Sequence, residues 1–456
     1  MHYRPVVDRF VEIPALDPIW FMLFVAAFIA IALLAQKRAA YGLLALIATA
    51  PFGFAHAVAH TTVTLPKVAL LAVVLGLCAH RSLFARLRER EARAWLLAFA
   101  AVAAATMLSV TQADFLAPAF RASFKALEAL LVFAAALLAS DETDALDRLA
   151  LPAFAATATL VSLLALLEVF LGAPSGLNVG SIVLPRIAGP LDGPNQLAGF
   201  LEIAIAILAA AHLARPRRYT AWALAAAMLA ELLTLSRAGI ALSVIVLALL
   251  AYLRPQNVRA TILPAAGALA FALLLSLVAV AGNIYAGAHV ADALTSMRGL
   301  LRLGGRETGV GGVGTRSELW RAALALWREH PWLGIGAGNY HLELGRVGLQ
   351  GVRTQPNSLY LQALVDGGIP LLAATLWLWI GGIVRLARAS IRENPWVAAA
   401  FAATIALALH GIIDNLQFYP KVLTWWLLLV AIAVSRFRDG RQAILGSKGR
   451  WDLRTP

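Results

Sequence analysis

The chain of 456 residues is 61% hydrophobic and only 14% charged, with a mean hydropathy of +0.77. Soluble domains run nearer half apolar and a quarter charged, so a water-soluble, disordered or fibrous chain is excluded and an all-α polytopic membrane protein is expected. The net charge of +13 reads as basic cytoplasmic loops and not as nucleic-acid binding, and a lone cysteine, Cys78, excludes an intrachain disulfide or a cysteine-rich metal site.

A bilayer-spanning helix needs about 20 mostly apolar residues. Apolar segments fall at 19–35, 41–55, 65–79, 94–111, 123–140, 150–171, 194–214, 219–235, 237–253, 260–282, 359–385, 396–413 and 422–435. Arg4 and Arg9 precede the first, which is longer than a signal-peptide core and has no cleavage site behind it, so it reads as a retained helix. Pro51 breaks the second, and the expectation is 12 or 13 spans.

Basic connectors alternate with basic-poor ones. Lys37 and Arg38, Arg81 to Arg93, Arg148, Arg215 to Arg218, Arg254 and Arg259, Arg385 to Arg392 and the tail from Arg436 to Arg450 mark the cytoplasmic side. The C-terminus is then cytoplasmic. The N-terminus is external if all thirteen segments span and cytoplasmic if one does not. The chain divides into N-terminal transmembrane helices (1–282), a long external loop (283–358), and C-terminal transmembrane helices with the tail (359–456). Long ordered connections are usually functional.

Inside the loop, Gly309, Gly311, Gly312 and Gly314 lead into Thr315-Arg316-Ser317-Glu318, the capping-box signature of a helix start. Leu319, Trp320, Ala323, Leu324 and Trp327 follow at helical spacing, and His330-Pro331 ends the run. Backbone N–H groups at a helix start together with the Arg316 guanidinium suit an anion, most naturally phosphate. The alternative is a glycine hinge before an interfacial helix. The G-x-G-x-x-G spelling follows no expected strand, so it does not indicate a dinucleotide site.

Two further arginines lie on the external side against the charge bias. Arg186 stands in Leu184-Pro185-Arg186-Ile187-Ala188-Gly189-Pro190, ahead of Asn195, and Arg237 in the tight turn Ser236-Arg237-Ala238-Gly239. Singly, such arginines anchor helices to headgroups; three together point to an anionic ligand. Asn357, Tyr360, Gln362 and Asp366 fall where a span begins, with Asn357, Tyr360 and Asp366 on one helix side. His410, Asp414, Asn415 and Tyr419 fall in the last external turn. Glu128, Glu168, Glu202 and Glu231 lie within spans, where interhelical hydrogen bonds or protonated carboxyls account for them. His56 and His60 are spaced i, i+4 without companion ligands, so no metal is expected there.

These residues resemble the O-antigen ligase and Wzy_C superfamily of bacterial envelope glycan ligases and polymerases. The resemblance covers roughly 180–420. It rests on Arg186 through Asn195, Ser236-Arg237-Ala238-Gly239, Gly314-Thr315-Arg316 with Leu319-Trp320, Pro331-Trp332-Leu333-Gly334-Ile335-Gly336, Asn357 to Gly368, and His410 to Asp414. It implies a GT-C-like fold of about 12 helices in the bacterial inner membrane, with a periplasmic active site under the long loop. It also implies metal-independent transfer of a glycan from undecaprenyl pyrophosphate to a sugar of lipid A–core, without a cofactor. The partners are the lipid-linked donor, a lipid A–core or other glycan acceptor, and membrane lipids, with no nucleic acid.

Arg186 and Arg316 match arginines thought to hold the donor pyrophosphate, and Arg237 matches a further family arginine; Asn195 joins this donor group. Asn357, Tyr360, Gln362, Asp366 and His410 fall to the acceptor and glycan side. The family has His-Asn where this chain has Pro356-Asn357, so acceptor activation passes to His341, Asp414 or His410. A polymerase of the same superfamily, or a transporter of lipid-linked glycan, are the alternative functions.

Overall fold

The computed structural model describes residues 18–58, 61–140, 143–179, 182–255, 316–352, 354–389 and 391–437. The expected span at 260–282, the glycines at 309–314, Thr315, His60 and the tail beyond 437 lie outside the described residues.

Every expected apolar segment that is described falls on a helix. In chain order these are α1 (Pro18–Lys37), α2 (Ala39–Thr49), α3 (Leu65–Leu77), α4 (Arg90–Ser109), α5 (Leu116–Ala139), α6 (Thr143–Leu171), α7 (Pro194–Ala214), α8 (Arg218–Leu233) and α9 (Arg237–Leu253). Beyond residue 315 come α10 (Arg316–Glu329), α11 (Tyr340–Glu343), α12 (Leu359–Arg388), α13 (Pro395–His410) and α14 (Pro420–Ser435). Among the described residues five helical stretches are long and apolar enough to cross a membrane: Arg90–Gln112, Leu116–Ala139, Arg148–Leu171, Pro194–Ala214 and Leu359–Arg388. The chain is an all-α membrane protein. α2 has only 11 residues, about 16 Å at 1.5 Å per residue, or half of a hydrocarbon core. Pro51 follows just past its end, so the second expected segment is a half-length helix.

Two short antiparallel hairpins interrupt the helical pattern. β1 (Ala55–Val58) pairs with β2 (Thr61–Thr64), and β3 (Ser175–Val179) pairs with β4 (Ile182–Arg186), placing Arg186 opposite Ser175. Both lie in connectors expected on the external side, where the apolar pattern marks no strand.

The arrangement is centred on α7. Its apolar window is 89% buried, against 33–44% for the other four long stretches, because α8, α9 and α13 pack around it. Phe200 of α7 meets Trp425 of α14 at 4.2 Å between ring centroids, and Trp425 also meets Phe154 of α6. A second aromatic group, Trp95, Phe99, Phe133, Trp379 and Trp426, joins α4, α5, α12 and α14. Polar side chains on α7 are therefore inside protein, where each needs a partner.

The described part of the long loop forms a compact cap. Leu319, Ala323 and Leu326 of α10 pack against Ile335, Tyr340 and Leu344; of the residues expected at the helical spacing, Trp320, Leu324 and Trp327 are only partly buried. The cap is fastened on two sides. Towards α4 and α5, Asn339 bonds both the N–H and the carbonyl of Phe115, and Ala337 N–H donates to Ser109 Oγ at 3.1 Å. Towards α12, Ile335 N–H donates to Val365 O, Ile369 N–H to Pro331 O, and Gly338 N–H to Asp366 Oδ2.

Candidate functional site

Arg186 ends β4 and is half-buried. Its Nε donates to Thr234 O at 2.9 Å, and one terminal nitrogen donates to Asn195 Oδ1 at 3.1 Å. The backbone just after it is held in place: Ala188 and Gly189 N–H both donate to Glu168 Oε2 of α6, at 2.7 and 3.0 Å. Gly189 is left-handed, with φ +57, and a Cβ there would stand 2.9 Å from Ala165 Cβ. Glycine is what this close approach admits. Lys421, at the start of α14, closes the same loop from the other side through Pro190 O and Asp192.

Asn195 lies in the first turn of α7, where Pro194 starts the helix. Its amide bridges two charged groups. Oδ1 accepts from Arg186, and Nδ2 donates to Asp414 Oδ2 at 2.9 Å. Asp414 is buried, and its other oxygen accepts from Asn415 N–H at 2.7 Å. One turn back along the chain, His410 O accepts from the N–H groups of Ile413 and Asp414. The His410 ring turns inward, with Nδ1 2.6 Å from Glu202 Oε1 and both side chains fully enclosed. Burial first, then the charges of Asp414 and Asp192, pushes the neighbouring Tyr419 hydroxyl up to about 12, so Tyr419 stays neutral across the working range.

Arg316 is the first residue of α10 and lies within electrostatic reach of His410. Its Nε is buried and has no hydrogen-bond partner among the described residues. A desolvated guanidinium nitrogen in that state is costly unless an anion meets it. Arg237, the first residue of α9, is exposed. It follows the turn whose Thr234 carbonyl receives Arg186, and Ser236 caps the helix by accepting from Gly239 N–H. Of the three expected arginines, Arg186 is bonded to Asn195 and through it to Asp414, Arg237 follows the turn that receives Arg186, and Arg316 is linked to this group only through its electrostatic reach to His410.

The acceptor-side residues divide. Ser358 caps α12, so Asn357 precedes the helix and does not share its face; it takes φ +51, which asparagine tolerates. Leu359 N–H donates to Gly411 O and Tyr360 hydroxyl to Ala408 O, joining the start of α12 to the chain on either side of His410. Gln362 and Asp366 turn to the cap instead. Asp366 receives Gly338 N–H and lies beside Gln362. α12 is kinked at Gly367 and Gly368, where it meets the turn at 332–334. A Cβ on Gly334 would sit 2.5 Å from the Asp366 carbonyl carbon. The Pro331–Gly336 and Asp366–Gly368 motifs therefore read as a backbone docking joint. His341 is on α11 within the cap.

The family model described as O-antigen ligase matches residues 222–376. Over this segment the chain is similar to the O-antigen ligase family. It runs from α8 through the cap to just past the kink of α12, and it holds Arg237, Arg316, His341, Asn357, Tyr360, Gln362 and Asp366. Arg186, Asn195, His410 and Asp414 lie outside the O-antigen ligase match; Arg186 joins the matched segment through Thr234 O and carries Asn195 and Asp414 with it by hydrogen bonds. No curated protein matches the chain. Among the described residues no three His, Cys, Asp or Glu gather as metal ligands.

The sequence alone marks Glu202 only as an interhelical group. A signal for its role does exist: Asn195 and Glu202 are seven apart, two helical turns, hence on one face of α7. Glu168 and Lys421 give none, because their partners, two backbone N–H groups for Glu168 and Pro190 O with Asp192 for Lys421, lie in a loop distant in sequence from Lys421 and outside the helix of Glu168.

Proposed function

We propose that the protein is a glycosyltransferase of the O-antigen ligase type. It moves a glycan from undecaprenyl pyrophosphate to a sugar of lipid A–core at the periplasmic face of the bacterial inner membrane. Arg186, Arg237 and Arg316 hold the donor pyrophosphate, with Asn195 and Asp414 setting the position of Arg186. His341 remains a candidate for acceptor activation from the cap. Asn357, Tyr360, Gln362 and Asp366 shape the acceptor side. The proposed topology has about 12 spans in a GT-C-like bundle and a cytoplasmic C-terminus.

The observations that carry this reading are the Arg186–Asn195–Asp414 chain and Arg316, which is within electrostatic reach of His410 and whose Nε is desolvated without a partner among the described residues. As the sugar–pyrophosphate bond breaks, negative charge grows on the departing pyrophosphate. Guanidinium groups already fixed by the protein stabilise that charge without reorganising, and such fixed electrostatics supply much of the rate enhancement in many enzymes. Two or more fixed cations fill the electrostatic role a divalent metal has in other glycosyltransferases, so the reaction is proposed to proceed without one. The apolar flanks of the helices accommodate the polyprenyl chain.

The test is transfer by purified protein from a lipid-linked donor to defined acceptors. A new glycosidic bond to lipid A–core supports the ligase. A product in which donor repeats are joined to one another makes the protein a polymerase, and movement of donor across vesicles without any new bond makes it a transporter.

A further inference from the structure

We propose that His410 is the catalytic base that takes the acceptor proton, and that Glu202 is its positioning residue. The assignment rests on the glycosyl-transfer reading above and adds the proton-accepting group that Pro356-Asn357 leaves open.

A carboxylate inside a helix bundle is retained at a cost unless it has a matched partner. Glu202 sits on the most enclosed helix, and its partner is an imidazole at 2.6 Å. Glu202 is taken as ionised in this proposal: a carboxylate only accepts, so Nδ1 then carries the hydrogen and Nε2 keeps the lone pair. This is the tautomer a general base needs, with the ring orientation fixed from behind. The carboxylate also stabilises the imidazolium once a proton arrives.

His410 ends α13, its carbonyl anchors the turn that carries Asp414, and its ring lies within electrostatic reach of Asp414 and Arg316. The charged groups that act on it come from three elements: Glu202 on α7, Asp414 in the turn and Arg316 on α10. Glu231 of α8 is buried within electrostatic reach of Glu202. The other side chains named for the role are less suited. Both Asp414 oxygens are engaged, by Asn195 and by Asn415 N–H, while His341 belongs to the cap.

In the transfer step the acceptor hydroxyl oxygen forms the bond to the anomeric carbon. The bond from that carbon to the pyrophosphate oxygen breaks, and its electron pair leaves on undecaprenyl pyrophosphate beside Arg316 and Arg186. The hydroxyl proton passes to Nε2 of His410 and is lost to water before the next turnover.

The experiment uses the full-length protein in lipid nanodiscs with a lipid-linked donor and a sugar acceptor, following kcat against pH and donor retention separately. His410→Gln is expected to lower kcat about 10²–10⁴-fold, the usual worth of a general base, while donor retention is kept. Glu202→Gln is expected to lower kcat about tenfold and to move the acid limb of the profile to lower pH, because the imidazolium loses its partner. Glu202→Asp restores part of both. A His410→Gln protein that turns over at a rate close to wild type, or that no longer retains donor, overturns the base assignment. A Glu202→Gln or Glu202→Asp protein with reduced kcat and an unmoved acid limb overturns the positioning role. If Arg316→Ala retains donor as well as wild type does, the donor reading fails on its own, independently of His410.

Discussion

Asn195 offers the sharpest test of the polar chain, because its two amide ends have opposite roles. The oxygen accepts from Arg186 and the nitrogen donates to Asp414. Asn195→Asp keeps the first contact and turns the second into two carboxylates at a 2.9 Å approach. A hydrogen bond to a charged group is worth about 1.5–3 kcal/mol, and like-charge repulsion adds to its loss. The added charge also neutralises Arg186, weakening it towards a diphosphate. A total of about 3 kcal/mol corresponds to roughly a 10²-fold fall in kcat/KM.

The decisive variant exchanges the two side chains, Asn195→Asp with Asp414→Asn. In the exchange the carboxylate at 195 accepts from Arg186, and the amide at 414 donates to it while its oxygen still receives Asn415 N–H. Every hydrogen bond is restored and the net charge is unchanged. Transfer in membranes from a strain lacking the chromosomal copy, scaled to protein amount, should recover to within about tenfold of wild type. If the exchange is as inactive as Asn195→Asp although both proteins are folded, Asp414 acts by its charge and the chain is not a positioning device. If Asn195→Asp alone is fully active, the chain has no part in turnover.

Three further outcomes follow from the same geometry. Arg316→Ala should abolish glycan attachment while membrane expression persists, and normal attachment would remove Arg316 from the mechanism. Gly334→Ala should lower the detergent-solubilised Tm, since a left-handed residue with its Cβ 2.5 Å from the Asp366 carbonyl carbon loses about 3 kcal/mol from strain and overpacking together; an unchanged Tm would refute the docking joint. Transfer should proceed at the same rate in EDTA, and a loss reversed by added divalent cation would contradict catalysis by fixed guanidinium groups.

Much of the helical scaffold was legible because burial in lipid or in a bundle imposes long apolar runs. The cap helix and its opening at Arg316 were legible, but its buried face only in part: Leu319 and Ala323 pack inward with Leu326, while Trp320, Leu324 and Trp327 are only partly buried. The hairpins were not. β3 and β4 are five residues each, too short for alternation to stand out, and Arg186 is placed by one of them. Asn357, expected on the α12 face, instead precedes the helix, because Ser358 is the capping residue. Asp366 falls with the acceptor side in the sequence pattern. The structure gives it the N–H of Gly338, a tertiary contact 28 residues back in sequence, which no local pattern encodes. The Glu202–His410 pair spans 208 positions, and only the seven-residue spacing from Asn195 hints at it.

The central claim is that Arg186, Arg237 and Arg316 grip a diphosphate, and the affinity of the purified protein for undecaprenyl pyrophosphate measures it directly. Each Arg→Ala variant is expected to bind about tenfold more weakly or worse, the loss of at least one charge-assisted contact. Wild-type affinity in all three folded variants would contradict the account.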